Sequence, residues 1–175
     1  YEGKVIDRRG SVEGKNTVSD NSEIEQINQR SIYATPLYAE FMDTKFNIID
    51  APGADDFVGG AISAFRVCDT AILVANAQQG VEVGTEIFAR YADKYNMPVI
   101  LAVNQLDGDK ASWEGTLDSL KEAFGQKPVI VQFPVNVGAG FDGFVDVLKM
   151  KYYHFKDDNG KLLSVSPDTI LIPND

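Results

Sequence analysis

Three short polar clusters follow apolar runs and carry residue types on which chemistry can be built. They are Asp50-Ala51-Pro52-Gly53, Asn104-Gln105-Leu106-Asp107 and Asn136-Val137-Gly138. A carboxylate at Asp50 can hold Mg²⁺, directly or through water, because that ion prefers oxygen ligands and keeps several waters. Gly53 has no Cβ to keep a terminal phosphate from its backbone N–H. Asp107 can accept two hydrogen bonds from an amidine-like edge such as guanine N1 and N2, with Asn104 bracing the loop or touching the base. Taken singly, each signal is weak. Asp-x-Pro-Gly is a common turn, and Asn-x-x-Asp after a strand is often a helix cap. Their order, each at a strand end, makes the set far more specific, because ligands of open α/β sheets bind beyond the carboxyl ends of the strands.

Other chemistries find little support. The single cysteine, Cys68, allows no internal disulfide, and one cysteine with one distant histidine makes no Cys/His zinc site. His154 lies in Lys151-Tyr152-Tyr153-His154-Phe155, where a packing or surface histidine on a strand is the simple reading. There is no Gly-x-Ser-x-Gly elbow. The chain has 175 residues, 26 acidic against 16 basic, for a net charge of −10. That balance excludes a generic basic nucleic-acid binder, and no direct DNA binding is expected. No apolar run approaches the roughly 18 residues of a membrane span. No membrane partner and a cytoplasmic location are the expectations.

The elements that must position these residues alternate in kind. Residues 2–22 are polar and read as a loop. Ser22 to Gln29 reads as a short helix capped by Asn21 or Ser22. Leu37–Met42 and Lys45–Asp50 read as strands joined by a turn at Asp43-Thr44. The runs Ala71–Ala75, Val99–Val103 and Val129–Val131 suit strands buried on both faces of a parallel sheet. Between them, Val83, Ile87, Tyr91 and Tyr95 make one helical stripe, and Trp113, Leu117, Leu120 and Phe124 another. Gly125 and then Pro128 end the second helix. Leu148–Phe155 is strand-like, and Asp158-Asn159-Gly160 predicts a hairpin turn before Leu162, Leu163 and Val165. Pro167 and Pro173 predict an irregular end. The pattern is α/β, helices packed on a mostly parallel sheet, with a C-terminal β-hairpin extension.

From Lys4 to Phe155 the chain resembles the GTP-binding domain of translation elongation factor G and its relatives, the ribosome-protection proteins included. The resemblance rests on Phe46-Asn47-Ile48-Ile49-Asp50-Ala51-Pro52-Gly53 with Asp56-Phe57 and Arg66-Val67-Cys68-Asp69. It rests also on Ala92-Asp93-Lys94-Tyr95-Asn96-Met97-Pro98 leading into Asn104 and Asp107, and on Phe141 to Lys151. It implies a P-loop GTPase-like fold, with residues 1–147 a partial GTP-binding domain and 148–175 the start of the inserted subdomain typical of factor G. It implies GTP or GDP with Mg²⁺ as cofactors of the intact protein, nucleotide-binding roles for Asp50, Gly53, Asn104, Asp107, Asn136 and Val137, and a metal-facing role for Asp50. The ribosome is the partner it implies.

Departures from the family pattern matter as much. Gly-x-x-x-x-Gly-Lys-Ser/Thr occurs nowhere, and Gly10 to Asn16 is a near miss, one residue short, with Asn16 where a hydroxyl belongs. The first strand and the P-loop are therefore expected to lie upstream, the chain being an excised piece that binds nucleotide weakly or not at all and is prone to self-association along an apolar edge. The family's Arg-Gly-Ile-Thr reads Arg30-Ser31-Ile32-Tyr33. The histidine that positions the attacking water in the family is Ala54 here, so no catalytic residue is intact. The lysine of the guanine motif is Gln105, and the last guanine loop is read as Asn136-Val137. Two functions remain open. One is a divergent factor that binds guanine nucleotide and hydrolyses it slowly or not at all. The other is a nucleotide-independent ribosome- or protein-binding scaffold.

Overall fold

A computed structural model describes residues 10–11, 14–125 and 128–155, together with the backbone of 162–166. The expected turn at Asp158-Asn159-Gly160 and the segment with Pro167 and Pro173 lie outside the described residues. In chain order the elements are α1 (Glu23–Asn28), β1 (Thr35–Phe41), β2 (Thr44–Asp50), a 3-10 turn (Asp55–Phe57), α2 (Val58–Phe65), β3 (Ala71–Asn76), α3 (Val83–Lys94), β4 (Val99–Asn104), α4 (Trp113–Phe124), β5 (Gln132–Pro134), a second 3-10 turn (Gly138–Gly140), β6 (Gly143–Asp146), β7 (Lys151–Phe155) and β8 (Leu162–Ser166). They form two compact units. The first comprises residues up to Ala71 together with Val83–Ile100, and the second Ile72–Glu82 with the residues from Leu101 on.

In the first unit, Ser22 caps α1 as expected, and Glu25 completes a capping box by reaching back to the cap. Gln29 closes the helix in a left-handed conformation. β1 and β2 pair antiparallel, Phe41 opposite Thr44, so the two-residue loop is Met42-Asp43 and not Asp43-Thr44. Both loop residues have positive φ, 48° and 56°, which matches the twist of the hairpin. α2 buries Ala61 and Phe65. α3 buries Phe88 and Ala92, with Ile87 and Tyr91 half-buried beside them and Val83 exposed. The inward line is thus turned by one residue from the predicted stripe, because Phe88 and the small Ala92 fill the centre of the contact. Tyr95 stacks on Phe65 and Tyr91.

β3 and β4, of which residues 72–76 and 101–104 lie in the second unit, pair with each other. The Ala71 N–H donates to the Pro98 carbonyl and the Ala77 N–H to that of Asn104, at the same offset along the chain, so the pair is parallel. Leu73 and Ala75 are buried, whereas Ile72 and Val74 are 63% and 60% exposed. Burial on both faces, expected from the continuous apolar run, is therefore not found: one face is covered. α4 starts at the Ser112 cap and buries Thr116 and Leu120, with Trp113, Leu117 and Phe124 half-buried, close to the predicted stripe. The Thr116 hydroxyl donates to the Ala77 carbonyl at 3.2 Å, tying α4 to the end of β3.

The third apolar run departs from expectation. Val129 is 83% exposed, and residues 129–131 form no strand. The strand lies just beyond, at β5, and pairs antiparallel with β6 in a sheet ordered β5-β6-β7-β8. A three-residue apolar run is too short to state which sheet it joins. Nor is Leu148–Phe155 one strand: residues 147–150 turn, the Lys149 N–H donates to the Asp146 carboxylate, and the strand begins at Lys151. β7 and β8 make the expected hairpin. This antiparallel sheet is continuous across residue 147, where the sequence places a domain boundary.

Candidate functional site

Asp50 and Gly53 belong to the first unit; Asn104, Asp107, Asn136 and Val137 belong to the second. Asp50 ends β2 and is half-buried, and no described residue donates to its carboxylate. Pro52 is fully buried and anchors the loop, leaving Gly53 exposed. A Cβ at Gly53 would meet nothing within 4 Å, so its backbone is open to an incoming group. From the other side, a Cβ at Gly84 would lie 2.8 Å from the Gly53 carbonyl oxygen, so the first turn of α3 sets close against this loop. Ala54 caps the 3-10 turn without a side-chain hydrogen bond. Its methyl group neither donates nor accepts a proton.

The segment Arg30 to Tyr33 is held by a residue the sequence reading passed over. The Glu25 carboxylate accepts hydrogen bonds from the Ser22 hydroxyl at 2.6 Å and from the backbone N–H groups of Ile32 and Tyr33 at 3.0 Å each. These bonds, that from Ser22 first, bring its pKa down to about 2 against the opposing effect of burial. The Tyr33 ring itself is exposed. The signal available in sequence was the Ser22-x-x-Glu25 spacing of a capping box.

In the second unit, Asn104 and Asp107 are both exposed at the end of β4, and the Asp107 carboxylate has no partner among the described residues. The turn between them is fixed from two sides. Gln105 is left-handed, with φ of 58°, and its side-chain oxygen accepts from Asn76 Nδ2 at 2.8 Å. The Leu106 carbonyl accepts from the Gly138 N–H at 2.7 Å. The loop with Asn136 and Val137 therefore does reach the Asn104–Asp107 turn, although it does not follow a strand of the parallel pair. Asn136 Nδ2 donates to Asp142 Oδ1 at 3.1 Å, so this side chain already has a partner. Asp142 also accepts from the Tyr152 hydroxyl at 3.5 Å and lies 3.3 Å from His154 Nε2. Burial, and then the Asp142 charge, push the Tyr152 phenol above its ordinary pKa.

The arrangement offers open backbone and a carboxylate without a partner among the described residues in the first unit, and an exposed carboxylate on a braced turn in the second. Comparison with known proteins gives the context. Residues 1–167 match the family model of the elongation factor Tu GTP binding domain. The chain is 34% identical over 154 residues to elongation factor G of Petrotoga mobilis, covering 88% of this chain and 22% of that protein. It is 35% identical over 139 residues to an elongation factor G-like protein of Thermotoga maritima, covering 79% of this chain and 20% of that one. A solved crystal structure of a Thermus thermophilus protein superposes with a TM-score of 0.84 at 27% identity, over 95% of this chain and 25% of the other. The chain thus spans about a fifth of the length of these curated relatives, and by both the family match and the identities it belongs to the elongation factor Tu GTP-binding domain family, with relatives among the factors G.

Proposed function

We propose that the intact protein binds guanine nucleotide with Mg²⁺, acts on the ribosome, and hydrolyses GTP slowly or not at all. The observation that carries nucleotide binding is the pair of carboxylates, Asp50 and Asp107, left without partners among the described residues at the ends of β2 and β4. A carboxylate with no protein partner of its own is free to serve a ligand. By donor type, the residues of each unit taken by itself suit the group. Asp50 would face the metal, the Gly53 N–H a phosphate, and Asp107 with Asn104 the base. Mg²⁺ supplies charge neutralisation of the phosphates when bound. What this chain's own residues withhold is water activation: Ala54 can neither orient nor deprotonate a nucleophile. Calorimetric titration of the intact protein with GTP, GDP and ATP tests the reading, and equal affinity for GTP and ATP would sink it.

A second reading, a scaffold that keeps the fold and needs no nucleotide, is favoured by one observation. Gln105, at the position of the family lysine, has its side-chain oxygen engaged by Asn76. Failure of all three nucleotides to bind would leave that reading standing, with ribosome co-sedimentation as its own test.

A further inference from the structure

We propose that Asp142 is a positioning residue for the base-reading turn, holding it through Asn136 and Gly138. The inference rests on the nucleotide reading above and adds to it a group outside the recognised motifs. Asp142 precedes β6 and is half-buried. Its carbonyl accepts the Phe155 N–H at 2.7 Å, so its backbone is pinned to the end of β7. One carboxylate oxygen accepts from Asn136 Nδ2 at 3.1 Å. The Tyr152 hydroxyl of β7 approaches that same oxygen at 3.5 Å, and the other oxygen lies 3.3 Å from His154 Nε2. The sheet thus fixes the carboxylate, and the carboxylate fixes Asn136.

From Asn136 the chain of contacts runs to the base side in two steps. Gly138, with φ of 78°, turns its N–H onto the Leu106 carbonyl at 2.7 Å. Leu106 is the immediate neighbour of Asp107, whose carboxylate has to point in one direction to accept two parallel donors. A Cβ at Gly138 would lie 3.7 Å from the Gly108 carbonyl oxygen, so the loop rests against both sides of Asp107. Asn136 is exposed, and apart from its anchor on Asp142 water would compete for its amide. Asn136 is accordingly a strut and not itself a contact to the base. The arrangement makes the antiparallel sheet a support for the nucleotide site, with geometry transmitted by fixed hydrogen bonds of known partners.

The test reads two quantities on the intact protein. Amide hydrogen exchange at Gly138 is measured without nucleotide, and GDP affinity by titration. D142A is expected to speed Gly138 exchange by about tenfold while amides of the β6–β7 ladder keep their protection, and to weaken GDP about fivefold, the worth of one ordinary hydrogen bond. D142N keeps an acceptor for Asn136 and is expected to stay near wild type in both. Unchanged Gly138 exchange in D142A overturns the inference, as does looser Gly138 with unchanged GDP affinity, or D142N behaving like D142A. Should D142A lose the sheet, N136A removes the strut alone and is read by the same two criteria. A wild type that binds no guanine nucleotide overturns the nucleotide reading only; the Gly138 amide then still decides whether Asp142 holds the turn.

Discussion

The carboxylate of Glu25 accepts the backbone N–H of Tyr33 at 3.0 Å, joining the short helix α1 to the segment eight residues on. The same carboxylate takes the Ile32 N–H, and it is almost wholly buried. A charged acceptor serving two backbone donors is about twice as strong as a neutral one. The loop from Arg30 to Tyr33 is thereby held through its backbone N–H groups.

Removing that acceptor should be expensive. E25A leaves the Ile32 and Tyr33 N–H groups without their partner and is expected to lower stability by about 2–3 kcal/mol. Urea unfolding of the variant beside wild type measures it. A loss below about 0.5 kcal/mol, the range of an ordinary surface substitution, would show that water replaces the carboxylate freely.

The same contact sets an acid limit. The Glu25 pKa, lowered to about 2, lies below its unfolded value, so its contribution is complete above the ordinary carboxylate range, about 4.5, and is lost as pH falls toward 2. E25Q, which does not titrate, should show a shallower loss of stability across that window. Parallel acid titrations followed by circular dichroism decide it, and coincident slopes would refute the assignment.

At the base side, D107A should remove the preference for guanine over adenine nucleotides. Two hydrogen bonds to a charged group, roughly 1.5–3 kcal/mol each, set the expected loss of GDP affinity at about a hundredfold or more, with little change in weak ATP binding. Competition titrations measure the ratio. A preference that survives in D107A would mean that the exposed carboxylate is not the reader.

Hydrolysis should be slow for a reason located at one atom. A positioned general base contributes roughly 10²–10⁴-fold, and Ala54 supplies none. Single-turnover GTP hydrolysis on ribosomes is therefore expected to run at least about a hundredfold below that of a factor with histidine there. A rate equal to such a factor would require another group to place the water.

The hairpin loop offers a stability test independent of function. Met42 and Asp43 both occupy left-handed conformations, which for side chains other than glycine cost about 1 kcal/mol or more each. Replacing the pair by Asn-Gly, M42N with D43G, should stabilise the chain by about 1 kcal/mol. Thermal unfolding measures the gain, and a loss would mean that the loop side chains make contacts of their own.

What could be read ahead of the structure was local. Ser22 as a cap, the stripe of α4 and the strands β3 and β4 follow from spacing and composition within a few residues. The sequence predicts the turn one residue late, at Asp43-Thr44, because Asp at a left-handed position is a weaker mark than Asn-Gly. Tertiary choices were less legible. Val129–Val131 has the apolar character of a buried strand, yet pairing falls to Gln132–Pro134, whose neighbour β6 lies later in the chain. The partner of Asn136 is set by a loop that brings Asp142 beside it, and nothing in either residue type announces that. Asp50 and Gly53 stand out in the sequence by motif, whereas Glu25 matters through the fold of residues that follow it.

One consequence concerns how β3 finds its place. A strand with polar and apolar residues in alternation is told by its pattern which way to face, since a slip of one residue would turn every side chain over. Ile72-Leu73-Val74-Ala75 is apolar on both sides and carries no such instruction. The information sits at the strand's end instead. Asn76 meets Gln105, the Ala77 N–H meets the Asn104 carbonyl, and the Ala77 carbonyl receives the Thr116 hydroxyl. A slip would cost all three together, so the polar residues nearest the Asn104–Asp107 turn also index the strands beneath it.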